Sequence, residues 1–202
     1  MGSEVKQSEP FSKTFYRLFV KRAIDIFVSA TVLLILMPLF IIIGILIKID
    51  SEGPVIYKQK RVGKGGKDFY IYKFRTMYLN ADKIGPTITR EGDSRITRVG
   101  KVLRKFSIDE LPQMLNVLLG QMSLVGYRPG VRENYSESDL KSKIFDLKPG
   151  ITGYAQVMGR SMLTKEEKRN WELKYAEDVS FLLDLKILLL TIKKVFLGEA
   201  AY

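Results

Sequence analysis

The longest pattern in the chain is an uncharged stretch of 22 residues, Ile26 to Ile47, in which apolar side chains occupy every face of a helix rather than one stripe. At ~1.5 Å per residue such a helix would be roughly 33 Å long, enough to cross a hydrocarbon core of about 30 Å. A single membrane span is therefore one reading. Two observations favour another. Lys21 and Arg22 precede the stretch and Lys48, Lys58, Lys60 and Arg61 follow it, so the positive-inside bias draws both ends to the same side. Pro38 stands near the middle, where it removes a backbone hydrogen bond and crowds the preceding turn. A helix that enters, breaks near Met37-Pro38 and returns satisfies both. A cleaved signal peptide fits poorly, because the apolar region is too long and Ile47-Lys48-Ile49-Asp50 offers no small-residue cleavage site. A buried helix of a soluble protein fits poorly as well.

Ahead of this stretch, Phe11, Phe15, Tyr16, Leu18 and Phe19 alternate with Lys13, Arg17, Lys21 and Arg22, the pattern of an interfacial lead-in. Beyond it the periods shorten. Val55 to Gln59 and Phe69 to Phe74 are rich in β-formers, and Val62 to Lys67 supplies turn residues between them, which predicts a β-hairpin. Asn80 to Asp93 reads as a polar loop. Helices are predicted over Ser94 to Lys105, from Ile108 or Pro112 to Leu119, over Thr164 to Asp178 and over Phe181 to Phe196. Gly120 to Asn134 and Leu147 to Arg160 read as irregular. The last helix is apolar over most of its surface, which suits either a core position or partial immersion at a membrane interface. The class is α+β: a membrane hairpin, then a small, mostly helical domain carrying a β-hairpin and interfacial amphipathic helices.

Composition narrows the chemistry. In 202 residues there are 33 Lys and Arg against 22 Asp and Glu, a net charge of +11, so the partners are anionic: phospholipid, nucleotide phosphate or nucleic acid. The chain has no Cys and no His, which removes thiolate catalysis, Cys-based zinc sites and the commonest general base. An enzyme of this composition must work with carboxylates, Lys, Arg, hydroxyl groups and a hard metal such as Mg²⁺.

The candidate chemistry gathers around Phe106-Ser107-Ile108-Asp109-Glu110-Leu111-Pro112-Gln113. Asp109 and Glu110 stand at a predicted helix start, and Ser107-x-x-Glu110 matches a capping box, a purely structural use. Against that stand Arg95, Arg98, Lys101, Arg104 and Lys105 upstream and Arg128 downstream, which together with a helix start suit a phosphate site containing a nucleophile. Alternation places Lys73 and Arg75 on one face of the second strand, with Phe74 on the other; cations that guard an edge strand are the alternative. Gly63-x-Gly65-Gly66 reads as a turn, since it lacks the Walker spacing. The loops Val125 to Pro129 and Lys148 to Arg160 hold Gly and Pro at which backbone N–H groups could approach an anion, or which simply turn the chain.

These residues, in order, resemble a known family. Lys21-Arg22-Ala23-Ile24-Asp25, Ile71 to Met77, Arg95 to Gly100, Leu103-Arg104, Ser107 to Gln113, Asn116-Val117-Leu118, Met122 to Gly126 and Pro149 to Gln156 are similar to the monotopic polyprenol-phosphate phosphoglycosyl transferases, or bacterial sugar transferases. The likeness runs from about Lys21 to Phe196. It implies transfer of a sugar 1-phosphate from a nucleoside diphosphate sugar, usually a UDP-sugar, to undecaprenyl or another polyprenol phosphate, releasing UMP, as the first membrane step of bacterial glycoconjugate synthesis.

It also implies roles for residues. Asp109 would carry a covalent phosphosugar. Glu110 would help position metal or acceptor, so that Asp109 and Glu110 are the catalytic pair and hold Mg²⁺. Lys73, Arg75, Arg104 and Arg128 would hold phosphate oxygens. Pro129, Gly150, Thr152, Gly153, Gln156 and Arg160 would contact the nucleotide sugar. The resemblance favours the re-entrant reading with its break at Pro38, and divides the chain into an interfacial segment 1–22, a re-entrant helix 23–49 and a catalytic domain 50–202 on the cytoplasmic face of the bacterial inner membrane. It implies the catalytic portion of the family alone, contact with membrane lipids and room for a homodimer, with no nucleic acid.

The chain departs from the family pattern at three positions. Tyr127 stands where Pro is common, Met158 where Asn is common, and Met37 where many members have Ser before the helix-breaking Pro. A different class also accounts for anchor and charge: a non-catalytic basic module held at the membrane and binding nucleic acid or anionic lipid. It asks nothing of Asp109 and Glu110, and no RNA- or DNA-binding signature accompanies it.

Overall fold

The computed structural model describes residues 14–84, 92–159 and 162–197. A π-helical turn, Tyr16–Val20, leads into one long helix, α1, Lys21–Asp50. Pro38 lies inside α1, and the helical assignment continues through it, so the expected break near Met37-Pro38 does not appear as an interruption of secondary structure. A proline deletes one hydrogen bond, and the turns on either side keep theirs. Only 11% of the most apolar stretch of this helix is buried, which leaves Phe27, Leu34, Ile35, Ile41 and Ile42 exposed. That face has the length and composition to sit in a membrane.

Both ends of α1 dock on the rest of the chain. At the start, Arg22 donates to the carbonyls of Val117 (2.7 Å) and Leu118 (2.9 Å), and Asp25 accepts from the Leu124 amide (2.9 Å) and the Ser123 hydroxyl (3.1 Å). At the far end Ile43 and Ile47 are buried with Phe74 and Leu103, the Phe40 ring meets the Phe74 ring edge-on at 5.2 Å, and Asp50 accepts from the Val99 amide at 2.9 Å.

The hairpin forms as expected and is longer on both arms. Strands β1, Ile56–Val62, and β2, Asp68–Phe74, pair antiparallel from Ile56↔Phe74 to Val62↔Asp68. Gly65 and Gly66 supply the positive φ (66° and 70°) that the turn requires. Next comes α2, Arg98–Lys105, capped by Thr97, whose hydroxyl accepts from the Gly100 amide. It starts later than Ser94 because Ile96 is used in an isolated antiparallel bridge to Met77. A 3₁₀ turn, Ile108–Glu110, then leads to α3, Gln113–Leu118.

The two stretches read as irregular contain a parallel pair instead. β3, Ser123–Val125, pairs with β4, Gly150–Thr152. Strands of three residues carry no period that a sequence can show. Three helices follow: α4, Tyr154–Met158, α5, Lys165–Asp178, and α6, Phe181–Phe196. A capping box at Thr164 and Glu167 starts α5, and Ser180 caps α6. The main core joins β3, α5 and α6 through Val125, Tyr175, Val179 and Ile187, with Val117 and Met122 beside them. Under it, Asp184 of α6 accepts from Tyr16 (2.6 Å), Tyr175 (2.7 Å) and Lys21 (2.5 Å), tying the start of α1 to the last helix.

Candidate active site

The local sequence shapes the turn between α2 and α3. Ser107 adopts a left-handed conformation (φ 54°), which among the described residues only Asn80 shares outside glycine. Such backbone costs energy in a residue with a Cβ and needs support from its surroundings. Pro112, which has no N–H to lose, then sits where α3 begins. The capping box that was the structural alternative at Ser107 and Glu110 is absent: Ser107 makes no side-chain cap. A capping serine must be extended, and the Glu110 carboxylate that would reach back is held elsewhere.

It is held by cations. Arg128 forks onto both carboxylate oxygens of Glu110, with Nη1 at 2.8 Å from Oε2 and Nη2 on Oε1, while Lys73 from β2 reaches Oε1 at 2.8 Å. Burial alone would raise the pKa of Glu110, but Arg128 and then Lys73 outweigh it and hold the group well below the usual carboxylate range. The same attraction raises Arg128.

Asp109, one residue away, is treated in the opposite way. It is 9% exposed, and among the described residues no hydrogen bond or ion pair engages its carboxylate. Burial raises its pKa to about 6; Glu110 adds to the rise, and Lys73, Arg104 and Arg128 oppose it. Two adjacent carboxylates are thus pushed apart in pKa, one pinned as a permanent anion and one left open in a cationic setting, which is how a fold assigns different roles to like groups.

Asp109 and Glu110 line a cleft of about 1060 Å³ whose walls include Lys58, Lys60, Lys73, Arg95, Arg104 and Arg132. Arg104 is steadied by Nε donating to the Thr76 hydroxyl at 2.8 Å. Arg75 borders the cleft, yet its guanidinium is committed elsewhere. It donates to the carbonyls of Ser51 (2.7 Å), Ile47 (3.4 Å) and Glu52, and so satisfies the carboxy-terminal end of α1. Alternation along the strand predicts Arg75 beside Lys73; β2 ends at Phe74, and although the Arg75 amide still donates to the Val55 carbonyl at 2.9 Å, its guanidinium is drawn to the carbonyls at the end of α1.

The residues expected at the nucleotide sugar fall differently. Thr152 and Gln156 line a second, smaller cavity of about 220 Å³ together with Arg128, Thr191 and Lys194. Glu110 and Ser107 border both spaces, so the 107–110 turn forms the wall between them. Gly150 and Gly153 are buried against Gly126: a Cβ at Gly150 would lie 2.1 Å from the Gly126 nitrogen, and one at Gly153 1.9 Å from the Gly126 carbonyl oxygen. These glycines let β3 and β4 approach each other. Pro129 is buried, Gln156 holds the Ile151 carbonyl through Nε2 at 3.1 Å and leaves a buried Oε1 without a partner, and Arg160 lies outside the described residues.

Of the family departures, Tyr127 is accounted for. Its ring, 2% exposed, packs on Phe145 at 5.1 Å and its hydroxyl donates to the Val62 carbonyl, so packing anchors the loop before Arg128 where a proline would stiffen it. Met158 is partly exposed, and nothing in the structure explains it.

One residue escaped sequence reasoning. Glu172 of α5 accepts the Arg128 amide at 3.2 Å, fixing the loop that carries the guanidinium, and burial pushes its pKa up to about 7. No motif links residues 44 apart. For a metal, no group of three or more His, Cys, Asp or Glu stands together among the described residues. Both Glu110 oxygens are taken, so Asp109 is the open carboxylate. That donor set fits a Mg²⁺ ion brought on phosphate oxygens, the usual habit of that ion.

A model of the bacterial sugar transferase family matches residues 16–198. Over 190 residues the chain is 40% identical to UDP-N-acetylgalactosamine-undecaprenyl-phosphate N-acetylgalactosaminephosphotransferase of Aeromonas hydrophila, covering 91% of this chain and 45% of that protein. It is 37% identical to UDP-glucose:undecaprenyl-phosphate glucose-1-phosphate transferase of Caulobacter vibrioides, covering 90% and 72%. It is 46% identical to the uncharacterized sugar transferase EpsL of Bacillus subtilis, covering 80% and 78%. The chain thus spans less than half the length of the Aeromonas relative. With the family model matched across nearly its whole length, the chain belongs to the bacterial sugar transferase family.

Proposed function

We propose that this chain transfers a sugar 1-phosphate from a UDP-sugar to a polyprenol phosphate, releasing UMP, through a covalent phosphosugar on Asp109. The observation that carries this reading is the open, buried carboxylate of Asp109 at the wall of a cationic cleft, beside a Glu110 that cations have fixed. The names of the relatives support the substrate classes, and their different sugars, N-acetylgalactosamine and glucose, leave the sugar open.

An ionised Asp109 attacks the phosphorus bearing the sugar. One P–O bond forms, the bond to UMP breaks, and the charge that leaves on UMP is met by the basic residues lining the cleft. Lys73 and Arg128 hold Glu110 rigid and keep a positive field over Asp109, and Arg104 adds to that field. When bound, Mg²⁺ would neutralise diphosphate charge next to the Asp109 carboxylate. The acceptor phosphate then attacks the same phosphorus and returns Asp109 as a carboxylate.

The reading includes placement. The two docked ends of α1, its exposed apolar middle and the basic flanks support a helix that enters the membrane and returns to one side, with 1–22 at the interface, 23–49 in the membrane and 50–202 on the cytoplasmic face, in the first membrane step of glycoconjugate synthesis. The apolar outer face of α6, with Leu182, Leu185, Leu189 and Ile192 exposed, supports contact with the membrane surface.

The test is UMP release from a panel of UDP-sugars by protein in nanodiscs. Release that requires both polyprenol phosphate and Mg²⁺ for turnover supports the reading. Tight binding of nucleic acid or anionic lipid with no UMP from any sugar would favour the basic-module alternative.

A further inference from the structure

We propose that Arg61 is a further catalytic residue of the transfer, the cation that takes the phosphate of the departing UMP. This rests on the phosphotransfer reading above and names the group that answers the charge on the leaving side. The hairpin register fixes its place. Tyr57 lies opposite Lys73, Gln59 opposite Ile71 and Arg61 opposite Phe69, and residues directly opposite share a face of the sheet. Alternation therefore puts Gln59 and Arg61 on the face that carries Lys73, which is the face turned to Glu110. Arg61 stands four residues along β1 from Tyr57, roughly 13 Å at ~3.3 Å per residue, still in the wall of the cleft of about 1060 Å³ that Asp109 lines.

What sets Arg61 apart is the lack of a counter-charge. Other cations of the cleft are matched: Lys73 on Glu110, Lys60 and Arg132 on Asp68, and Arg95 on Asp93. Arg61 is half-buried, and among the described residues it pairs with no carboxylate. Its acceptors are neutral: Nη2 donates to Gln59 Oε1 at 2.5 Å and Nη1 to the Pro129 carbonyl at 3.5 Å, while the buried Nε has no partner. Burial, and then the charge of Arg128, press its pKa down, as expected of a cation held beside another cation. A guanidinium kept in that condition suits an anion brought by the substrate, and its planar fork matches phosphate.

The cations that act on Asp109 are Lys73, Arg104 and Arg128, and Glu110 occupies the first and the last. Arg128 acts in turn on Arg61, which puts Arg61 one step outward along the cleft. In an in-line displacement the attacking and leaving oxygens lie on opposite sides of the phosphorus. As an Asp109 oxygen forms its P–O bond to the phosphorus bearing the sugar, the P–O bond to UMP breaks and the electron pair stays on the UMP oxygen. Arg61 pairs with that new charge. The acceptor step, from which UMP has gone, makes no use of it.

The experiment separates the half-reactions. Wild-type protein, Arg61→Gln and Arg61→Lys, each in nanodiscs, are mixed with UDP-sugar and Mg²⁺ without polyprenol phosphate, and the rate of the UMP burst is read. Protein loaded to completion is then freed of nucleotide and discharged with polyprenol phosphate. The proposal expects Arg61→Gln to release UMP at least tenfold more slowly, to discharge within twofold of wild type and to unfold at the wild-type temperature or above, with Arg61→Lys intermediate in the burst. An unchanged burst, or equal slowing of burst and discharge, which a merely structural role would give, would overturn it. If Arg61→Gln does not fold, Arg61→Lys decides, with a burst at least threefold slower and an unchanged discharge. Absence of a burst in wild type would be a failure of the proposed function. Calorimetric binding of UMP with Mg²⁺ then decides the site: affinity at least tenfold weaker in Arg61→Gln keeps Arg61 on the UMP phosphate, and equal affinity removes it.

Discussion

Arg128 holds Glu110 by both carboxylate oxygens, and the Arg128 amide is in turn held by Glu172, so a loop, a turn and a helix remote in sequence are locked into one charged unit. Hydrogen bonds to charged groups contribute about 1.5–3 kcal/mol each. Arg128→Lys cannot reproduce the fork. Its kcat/KM for UDP-sugar should fall by roughly 10- to 100-fold, each factor of ten being ~1.4 kcal/mol, with the circular dichroism spectrum unchanged. Wild-type kinetics in Arg128→Lys would remove the fork from the machinery.

The acid side of the rate profile should report Asp109. Only its ionised form attacks phosphorus, and its pKa is raised to about 6, so kcat/KM should fall tenfold per unit as pH drops below that value. Glu110 contributes nothing to this limb, because its pKa is held well below 4.5. A flat profile down to pH 5 would show that an ionised Asp109 is not required.

The same shift carries a stability prediction of the opposite sign. A carboxyl whose folded pKa lies above its unfolded value of 3.8 contributes stability that is present below 3.8 and lost as pH rises through about 6. At pH 8 the wild type therefore bears the cost of a buried, unpaired charge, which Asp109→Asn removes. The variant should be inactive yet unfold at the same or a higher temperature in detergent at pH 8. A clearly lower unfolding temperature would mean that Asp109 holds the fold together.

Sequence and structure agree most closely where a period is long. The uncharged stretch, the hairpin and the last two helices are legible because each repeats its pattern over many residues or is closed by a recognisable cap, as at Thr164 and Glu167. The parallel pair β3–β4 is not legible, since three residues a strand carry no period and the pairing joins segments far apart in sequence. Of the candidate site, the Asp109-Glu110 pair and the cations Lys73, Arg104 and Arg128 do converge. What sequence could not divide is their labour: it cannot show that Glu110 is pinned and Asp109 open, that Arg75 caps α1, or that Gly150 and Gly153 serve the approach of two backbones.

That last point is open to test. A Cβ at Gly153 would stand 1.9 Å from the carbonyl oxygen of Gly126, a backbone atom that cannot swing aside. Gly153→Ala should lower the unfolding temperature by several degrees and reduce the yield of folded protein, whatever its effect on substrate. An equally stable variant with impaired nucleotide binding would restore this glycine to a ligand-contacting role.

The topology is tested by single Cys residues at Ser8 and Ser138 in a chain that has no native Cys. Both should label from the cytoplasmic side in inverted vesicles and neither from outside intact cells. Labelling from opposite sides would establish a full span.

The central claim is that Asp109 becomes covalently attached to the phosphosugar. Intact-protein mass spectrometry after incubation with UDP-sugar and Mg²⁺, in the absence of polyprenol phosphate, should show the wild type gaining the mass of one phosphosugar. Peptide mapping should place it on Asp109, polyprenol phosphate should discharge it, and Asp109→Asn should show none. Full turnover by Asp109→Asn, or an adduct mapped to any other residue, would contradict the account.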